Sequence, residues 1–249
     1  MRIIGSDYDG TLSHGGFGEE KIIAMRKWRE KGNRIGVVTG RNLSIIPHIP
    51  KECFELLDFL IVFNGGIIAT PDEEILYDVT CTDIPVKELA KDLLDRGYDV
   101  VHIHSDKYYR VWAENSPGED CDYLLEDMPE IPFIHQITAG GISVEHATET
   151  ANFIREKYGD KLDPLQNWSY LDIVPLGVNK ANGLRKYAEL VGVSEDNVIA
   201  VGDSLNDASM LAAFRSYAIA EGSPEIQDIA TFRIDNVTDL INRELEEAE

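Results

Sequence analysis

The chain has 249 residues, of which 43% are hydrophobic and 27% charged, a composition typical of a globular protein with one large domain or two ordinary ones. Its formal net charge of −22 argues against nucleic acid or an anionic membrane as a partner, and no apolar run reaches the ~20 residues of a membrane span. The first residues carry no secretory leader pattern and the cysteines form no paired motif, so we expect a cytoplasmic protein.

The first predicted element is a short strand at residues 3–4, which leads into an acidic pair. In an extended chain, side chains two residues apart point the same way, so Asp7 and Asp9 project together. Gly10 then supplies the backbone freedom for a sharp exit. One interpretation is a site for a divalent cation, which would keep both carboxylates ionised. The other is an Asx-type turn with Thr11 as a helix cap, and these residues alone do not decide between them.

The following elements alternate between helix and strand. They are a glycine-punctuated loop at 13–18, a helix over about 19–31, a buried strand at 35–38 that runs into Thr39-Gly40-Arg41, and a third strand at 59–63 that ends in Asn64-Gly65-Gly66. Strand, loop, helix and strand at this spacing indicate the βαβ unit of a parallel sheet. We interpret Asn64-Gly65-Gly66 as a tight turn rather than as part of a site.

The middle of the chain has a different pattern. Between Arg41 and Lys180 the chain is far too long for a loop in a compact domain. The strands here are shorter and more polar, and amphipathic helices are predicted near 85–95 and 148–158. Such a pattern indicates an α+β domain inserted into the first one. The predicted division is a core at 1–80 and 176–249, with the insert at 81–175.

The last third returns to the pattern of the first. A helix is predicted near 181–190, a buried strand at 198–201 ends in Gly202-Asp203-Ser204-Leu205-Asn206-Asp207, and another strand follows at 217–220. The acidic segment from Glu244 to Glu249 indicates only a solvation role. The predicted fold class is therefore α/β, with a Rossmann-like parallel-sheet core and an inserted α+β domain.

Four motifs occur along the chain in one order: DYDGT from Asp7, VVTGR up to Arg41, Lys180, and GDSLND from Gly202. In this order they resemble the four motifs of the haloacid dehalogenase-like phosphohydrolases. The stretch between DYDGT and VVTGR has room for only a loop and one helix, so the insert lies after the second motif. That position resembles the Cof-like branch, in which the insert is a type II α/β cap.

The resemblance implies a phosphoric monoester hydrolase that works through a covalent intermediate. Asp7 would attack phosphorus and form an aspartyl-phosphate. Asp9 would protonate the leaving oxygen and then deprotonate the water that hydrolyses the intermediate. Lys180 would neutralise charge that develops on the transferred group. These three residues are the predicted catalytic set.

The resemblance also implies Mg²⁺, because the candidate ligands are all oxygens. We assign it to the carboxylates of Asp7 and Asp203 and to the main-chain carbonyl of Asp9. Asp207 lies about one helical turn beyond Asp203, and it would bind the ion directly or through water. A protein with a net charge of −22 needs such a local positive charge to bind a phosphorylated substrate.

Phosphate oxygens are expected at Thr39, at the amide of Gly40 at the head of a helix, and at Asn206, which would donate to the phosphate or to Asp203. Arg41 would either contact the substrate or form a structural ion pair. The partner is expected to be a small phosphorylated metabolite, and the protein a monomer or homodimer.

The substrate itself stays open among a hexose phosphate, a polyol phosphate, pyridoxal phosphate and a disaccharide phosphate, with a sugar phosphate favoured. The candidates in the insert for recognising the leaving alcohol are His102, His104, Arg110 and Asn167. The aromatic residues of the insert are expected to form its core: Tyr108, Tyr109 and Trp112.

Two alternative functions fit part of the pattern. A phosphomutase or phosphotransferase of the same superfamily would use the same aspartate but return the phosphoryl group to a sugar. A non-enzymatic phospho-receiver of a signalling pathway also combines acidic residues, a Thr and a Lys on a parallel sheet. Its acidic pair, however, is separated from the acceptor aspartate by a whole βα unit, and it lacks the long insert.

Overall fold

The computed structural model of the protein describes residues 1–113 and 122–247, apart from the side chain of Ile46. The chain divides into two compact units: Met1–Asp78 with Asn179–Glu249, and Val79–Val178. The insert predicted at 81–175 lies inside the second unit. Among the helices of the described residues, none combines the length and the hydrophobicity that a membrane span requires.

The first unit begins with β1 (Ile3–Ser6), α1 (Glu19–Glu30), β2 (Arg34–Val38), α2 (Lys51–Phe54), β3 (Phe59–Val62), β4 (Ile67–Ala69) and β5 (Ile75–Asp78). The second unit contains α3 (Val86–Asp95), β6 (Val100–His104), β7 (Tyr108–Trp112), β8 (Tyr123–Leu124), β9 (Gln136–Gly140), α4 (Val144–Tyr158), β10 (Leu162–Asn167) and β11 (Tyr170–Pro175). The chain then completes the first unit with α5 (Lys180–Leu190), β12 (Val198–Gly202), α6 (Ala208–Ala213), β13 (Arg215–Ile219), α7 (Pro224–Gln227), β14 (Phe232–Ile234) and α8 (Val237–Glu246).

The sheet of the first unit has the strand order β14-β13-β12-β1-β2-β3-β4-β5. Its strands are parallel from β14 to β3, which confirms the predicted α/β core. The strands β4 and β5 extend the sheet in the antiparallel sense and were not predicted. They need no crossover helix, because β4 follows β3 after a short turn. The central strand β1 lies between β12 and β2, so the carboxyl ends of these three strands share one edge.

Helices cover both faces of this sheet. The side chain of Ile4 packs in a cluster with Met25 and Trp28 of α1, and that of Ile3 packs in a second cluster with Leu184 of α5. Alternate residues of one strand therefore face two apolar layers, so the strand is hydrophobic without interruption. This explains why the short apolar runs of the sequence mark the core strands.

The prediction that the acidic segment at 244–249 has only a solvation role is wrong for Glu244, which is buried. Glu244 is 2% exposed, and its Oε2 accepts a hydrogen bond from Nη1 of Arg2 at 2.7 Å. Its Oε1 accepts one from Nε of Arg215 at 2.7 Å and one from the hydroxyl of Tyr217. Glu244 of α8 thus connects Arg2, which directly precedes β1, to Arg215 and Tyr217 of β13 through a buried charge with hydrogen bonds to both of its oxygens.

We expect Glu244→Gln to lower the free energy of unfolding by about 2–3 kcal/mol, because the guanidinium of Arg2 loses its counter-charge in a partly buried setting and that of Arg215 keeps only its ion pair with Glu247. Glu246→Gln, an exposed position on the same helix, serves as the control and should change it little. Urea unfolding followed by circular dichroism would measure both. Equal stability of the two variants would contradict the role assigned to Glu244.

The second unit is a six-stranded sheet of order β10-β11-β9-β6-β7-β8 with α3 and α4 packed against it. Ser143 caps α4 by accepting a hydrogen bond from the amide of His146 at 3.1 Å, so the helix begins four residues before its predicted start. Tyr109 is buried as predicted. Tyr108 is not part of the core, since 46% of it is exposed, and Trp112 is half-buried.

Candidate active site

The predicted residues Asp7 and Lys180 meet at the carboxyl end of β1. The amide of Asp7 donates to the carbonyl of Val201 at 2.9 Å, which continues the pairing of β1 with β12 and fixes the start of the loop. Nζ of Lys180 donates to Oδ1 of Asp7 at 2.7 Å and to Oδ1 of Asp207 at 2.5 Å. The exposed fractions of Asp7 and Lys180 are only 4% and 1%. Residues from both ends of the chain thus form one buried charged cluster.

Lys180 is the first residue of α5 rather than part of a loop. The side chain of Asn179 caps this helix by accepting a hydrogen bond from the amide of Asn182 at 2.9 Å. Burial would lower the pKa of Lys180, but the nearby carboxylates of Asp207 and Asp7 outweigh that effect and raise it. Lys180 is therefore held as a cation within the cluster.

The carboxylates of Asp7, Asp203 and Asp207 each place an oxygen within 4.8 Å of the others. Burial raises the pKa of Asp7 well above its ordinary value, and repulsion from Asp207 and Asp203 adds to this against the attraction of Lys180. Burial also raises the pKa of Asp203. Among the described residues, these three acidic groups thus lie around the positive charge of Lys180. A divalent cation with oxygen ligands fits this excess of negative charge, so the residues present suit Mg²⁺.

Asp207 is held in place by the turn that follows β12. Its Oδ2 accepts hydrogen bonds from the amides of Asp203 at 3.0 Å and Ser204 at 3.1 Å, while Oδ1 faces Lys180. A Cβ added to Gly202 would lie 2.5 Å from the Asp207 side chain. Glycine at position 202 therefore allows this carboxylate to fold back on its own loop.

Gly10 permits the close approach of the first loop to Asp203. It has a φ of +73°, and an added Cβ would lie 2.5 Å from Oδ2 of Asp203. The hydroxyl of Thr11 donates to Oδ1 of Asp203 at 2.7 Å. Thr11 is thus an orienting partner of Asp203, and the interpretation of Thr11 as a helix cap is wrong, since α1 begins after Gly18.

The side chain of Asp9 pairs with that of Arg41. Its two oxygens accept hydrogen bonds from Nε and Nη2 of Arg41, each at 2.7 Å. Both side chains are about half exposed, and the hydrogen bond to Asp9 raises the pKa of Arg41. Of the two interpretations of Arg41, the structure shows the ion pair. The main-chain carbonyl of Asp9 as a metal ligand stays a prediction.

Thr39 and Gly40 follow β2 at the same edge of the sheet. Thr39 is buried, its amide donates to the carbonyl of Ile61 at 2.8 Å, and its Oγ1 accepts from the amide of Arg41 at 3.2 Å. The expected helix head at Gly40 is wrong, because the chain continues as a loop into a 3₁₀ helix, Leu43–His48. A phosphate-binding role for Thr39 and Gly40 stays a prediction.

Asn206 lies in the short turn between β12 and α6. Its Oδ1 accepts a hydrogen bond from Oγ of Ser204 at 2.5 Å. The donor role predicted for Asn206 toward the phosphate or Asp203 stays a prediction.

Lys21 contacts the loop that follows Asp7 and Asp9, a role that was not predicted from the sequence. It is buried, and its Nζ donates to the carbonyls of Leu12 at 2.6 Å and His14 at 2.8 Å, which anchors the loop after Thr11 onto α1. Burial lowers the pKa of Lys21. The signal was present, since Lys21 precedes Met25 and Trp28 of the buried face at intervals of four and seven residues.

The four candidates in the insert all lie in the second unit. Nδ1 of His102 is hydrogen-bonded to the hydroxyl of Tyr108, whose ring also stacks on His104 at a centroid distance of 4.8 Å. Arg110 pairs with Asp122 at 3.1 Å. Asn167 ends β10. Their roles in substrate recognition stay predictions.

We expect His104 to make the stability of the protein depend on pH. Burial lowers the pKa of His104 to about 4, and His102 and His135 add to the effect. Below pH 6.5 the unfolded chain therefore binds a proton at His104 that the folded chain does not bind. The contribution of His104 to the free energy of unfolding is full above pH 6.5 and is lost as the pH falls toward 4. We expect the urea midpoint to fall between pH 7 and pH 5 by the equivalent of about 1–2 kcal/mol, and less in His104→Gln. His48→Gln, at an exposed position, should retain the full loss, and an unchanged slope in His104→Gln would contradict the prediction.

Comparison with known proteins finds relatives across almost the whole chain. The family profile described as haloacid dehalogenase-like hydrolase matches residues 4–240. The chain is 27% identical over 252 residues to the 5-amino-6-(5-phospho-D-ribitylamino)uracil phosphatase YcsE of Bacillus subtilis (strain 168), covering 96% of this chain and 90% of the relative. It is 25% identical to the HMP-PP phosphatase of Cronobacter sakazakii (strain ATCC BAA-894), covering 83% and 79%. The solved structure of the HAD subclass IIB sugar phosphatase BT4131 shares the fold, with a TM-score of 0.76 at 19% identity over 98% of both chains.

Proposed function

Because this chain belongs to the haloacid dehalogenase-like hydrolases, we propose that it is a Mg²⁺-dependent phosphatase of a small phosphorylated metabolite with Asp7 as its nucleophile. The family predicted from the four motifs is confirmed, with its Cof-like type, and so is the enzyme class of phosphoric monoester hydrolase. The observation that carries the finer proposal is the buried cluster in which Lys180 bonds to both Asp7 and Asp207.

In the first step, a carboxylate oxygen of Asp7 attacks phosphorus, and the bond from phosphorus to the leaving oxygen breaks. Lys180 keeps the attacking carboxylate oriented and neutralises charge on the transferred group. Asp9 gives its proton to the leaving oxygen, which departs as an alcohol. The product of this step is an aspartyl-phosphate on Asp7.

In the second step, water attacks the phosphorus of the aspartyl-phosphate and loses a proton to Asp9. The bond from phosphorus to the Asp7 oxygen breaks, so inorganic phosphate leaves, Asp7 is again a carboxylate and Asp9 is again protonated. In the described structure the Arg41 guanidinium occupies both oxygens of Asp9. The Asp9–Arg41 pair therefore has to part, and the freed Asp9 carboxylate has to take up a proton from solvent, before Asp9 can act as the acid of the first step. The exposure of both side chains keeps the free-energy cost of parting low.

Asp7, Asp203 and Asp207 would hold Mg²⁺, with Asp9 contributing its carbonyl. The bound ion would supply Lewis-acid stabilisation of the phosphoryl oxygens. Thr11 orients the Asp203 carboxylate for this task through its hydroxyl. The turn amides that bind Asp207 orient that carboxylate in the same way.

For the substrate we propose a sugar phosphate as the first class to test. The relatives are named for different phosphorylated compounds, so a panel is needed. It would contain hexose, polyol, ribityl and disaccharide phosphates together with pyridoxal phosphate and a phosphorylated pyrimidine. The expected result is repeated release of inorganic phosphate that requires Mg²⁺ and stops with EDTA, with Asp7→Asn as the blank.

The same assay separates the alternatives. A phosphomutase would return the phosphoryl group to a sugar, so little inorganic phosphate would accumulate. A phospho-receiver would give a phosphorylated protein that persists for minutes without turnover. Either outcome, or release that is independent of Asp7, would overturn the proposed function. The oligomeric state, predicted as monomer or homodimer, stays a prediction.

A further inference from the structure

The turn Phe63–Gly66, which follows β3, has a backbone that side chains rarely adopt. Phe63 has a φ of 51°, Asn64 of 55° and Gly65 of 110°. Phe63 and Asn64 are nonetheless buried, with exposed fractions of 7% and 1%. Consecutive left-handed residues that are not glycine persist only where their surroundings hold them. The sequence predicted a strand through Phe63, so this conformation is imposed by tertiary contacts.

On one side, the Phe63–Gly66 turn is bonded to the loop that follows β2. The amide of Phe63 donates to the carbonyl of Arg41 at 2.9 Å, and the amide of Asn64 donates to the carbonyl of Thr39 at 2.9 Å. These two bonds continue the pairing of β3 with β2 beyond the ends of both strands. The turn therefore sets the position of the loop that carries Thr39, Gly40 and Arg41.

On the other side, the same turn lies against the start of α5. A Cβ added to Gly65 would lie 2.3 Å from the carbonyl oxygen of Asn179, and a Cβ added to Gly183 would lie 2.6 Å from Cα of Gly65. Asn179 caps α5, and Lys180 is its first residue. Two glycines thus allow the turn to approach the helix end that carries Lys180 more closely than any side chain would permit.

We infer that the Phe63–Gly66 turn is a positioning element, which fixes the Thr39–Arg41 loop and the Lys180 end of α5 in their positions relative to Asp7. This inference rests on the function proposed above, and it makes Gly65 and Gly183 positioning residues for phosphoryl transfer. Neither touches the reacting atoms, so their effect passes through Thr39, Arg41 and Lys180.

The test uses Gly65→Ala and Gly183→Ala. The first adds a methyl group to the turn and the second adds one to α5, so each crowds the contact between the turn and the start of α5. Gly183 lies inside α5, where alanine is the better helix former, so Gly183→Ala is expected to fold. We expect kcat to fall by about 10- to 100-fold in both variants, because small displacements of catalytic groups have effects of this size, with a smaller change in KM.

Gly32→Ala is the matched control. Gly32 also has a positive φ, of +77°, but an added Cβ there meets no atom of the described chain within 4 Å. Gly32→Ala also places an L side chain at a positive φ but without the contact, and its kcat should stay within about threefold of the wild type. A comparable loss of kcat in Gly32→Ala would overturn the inference, because general destabilisation would then explain all three variants.

Hydrogen exchange gives a readout that does not depend on activity. Peptides that cover 39–41 and 180–184 should exchange faster in Gly65→Ala and Gly183→Ala than in the wild type and in Gly32→Ala. Wild-type kcat and unchanged exchange in Gly183→Ala would overturn the inference. If the wild type released no phosphate from any compound, the proposed function would fail, while the exchange data would still decide whether the turn positions the two segments.

Discussion

Asp7→Asn is expected to lose turnover of every phosphomonoester by about 10⁴-fold or more, on the scale of removing a nucleophile from other enzymes that form covalent intermediates. Asparagine keeps the size of the side chain and an oxygen that can still accept from Lys180, but it cannot form a stable acyl-phosphate. The loss should appear in kcat for all substrates alike, because the nucleophile is common to them.

The same variant is expected to be at least as stable as the wild type when Mg²⁺ is absent. Asp7 is buried, and burial together with repulsion from Asp207 and Asp203 disfavours its charged form. Replacing it with a neutral amide removes that repulsion, while Lys180 keeps its bond to Asp207 at 2.5 Å. A carboxylate that is required for activity can lower the stability of the folded protein, as is common for residues of active sites.

Urea unfolding in EDTA and in excess Mg²⁺ measures this second effect. The wild type should gain stability with Mg²⁺ by mass action, and Asp7→Asn should gain much less because one ligand is gone. Asp196→Asn, at an exposed position before β12, is the control and should behave like the wild type in turnover and in Mg²⁺ response. Retained turnover in Asp7→Asn, or a large loss of its stability in EDTA, would contradict the assignment.

The meeting of Asp7, Asp203 and Lys180 follows from features that a sequence displays. Each carboxylate comes directly after a buried apolar run, and strands linked by helices form parallel sheets. The carboxyl ends of such strands share an edge, so residues from the two ends of the chain could be placed together before their contacts were known. The predicted fold class was confirmed for the same reason.

Other features depend on side-chain contacts that no local pattern displays. Phe63 favours a strand by propensity, yet its backbone is left-handed because the turn bonds to the neighbouring loop. Glu244 looks like one more acid in a charged tail, but Arg2 and Arg215 lie close enough to bury it. An ion pair of Arg41 could be stated only as one of two alternatives and without its partner Asp9, since both are surface side chains.

Lys180→Met should combine a loss of turnover of about 10²–10³-fold with a loss of stability of about 3–5 kcal/mol. Methionine fills a similar volume but donates no hydrogen bond. Asp207, which is fully buried, and Asp7 would then share the cluster without their common cation. Breaking a buried ion pair from one side is costly because the remaining charges stay uncompensated.

Mg²⁺ should restore part of that stability, since a divalent cation near Asp7, Asp203 and Asp207 offsets the same excess of negative charge. The gain in the urea midpoint on adding Mg²⁺ should therefore be larger for Lys180→Met than for the wild type. Lys186→Met is the matched control, because Lys186 lies on the same helix and pairs with Glu189 at a partly exposed position. It should leave turnover and stability close to wild type. If Lys180→Met matched Lys186→Met in both turnover and stability, Lys180 would have no role in holding the cluster together.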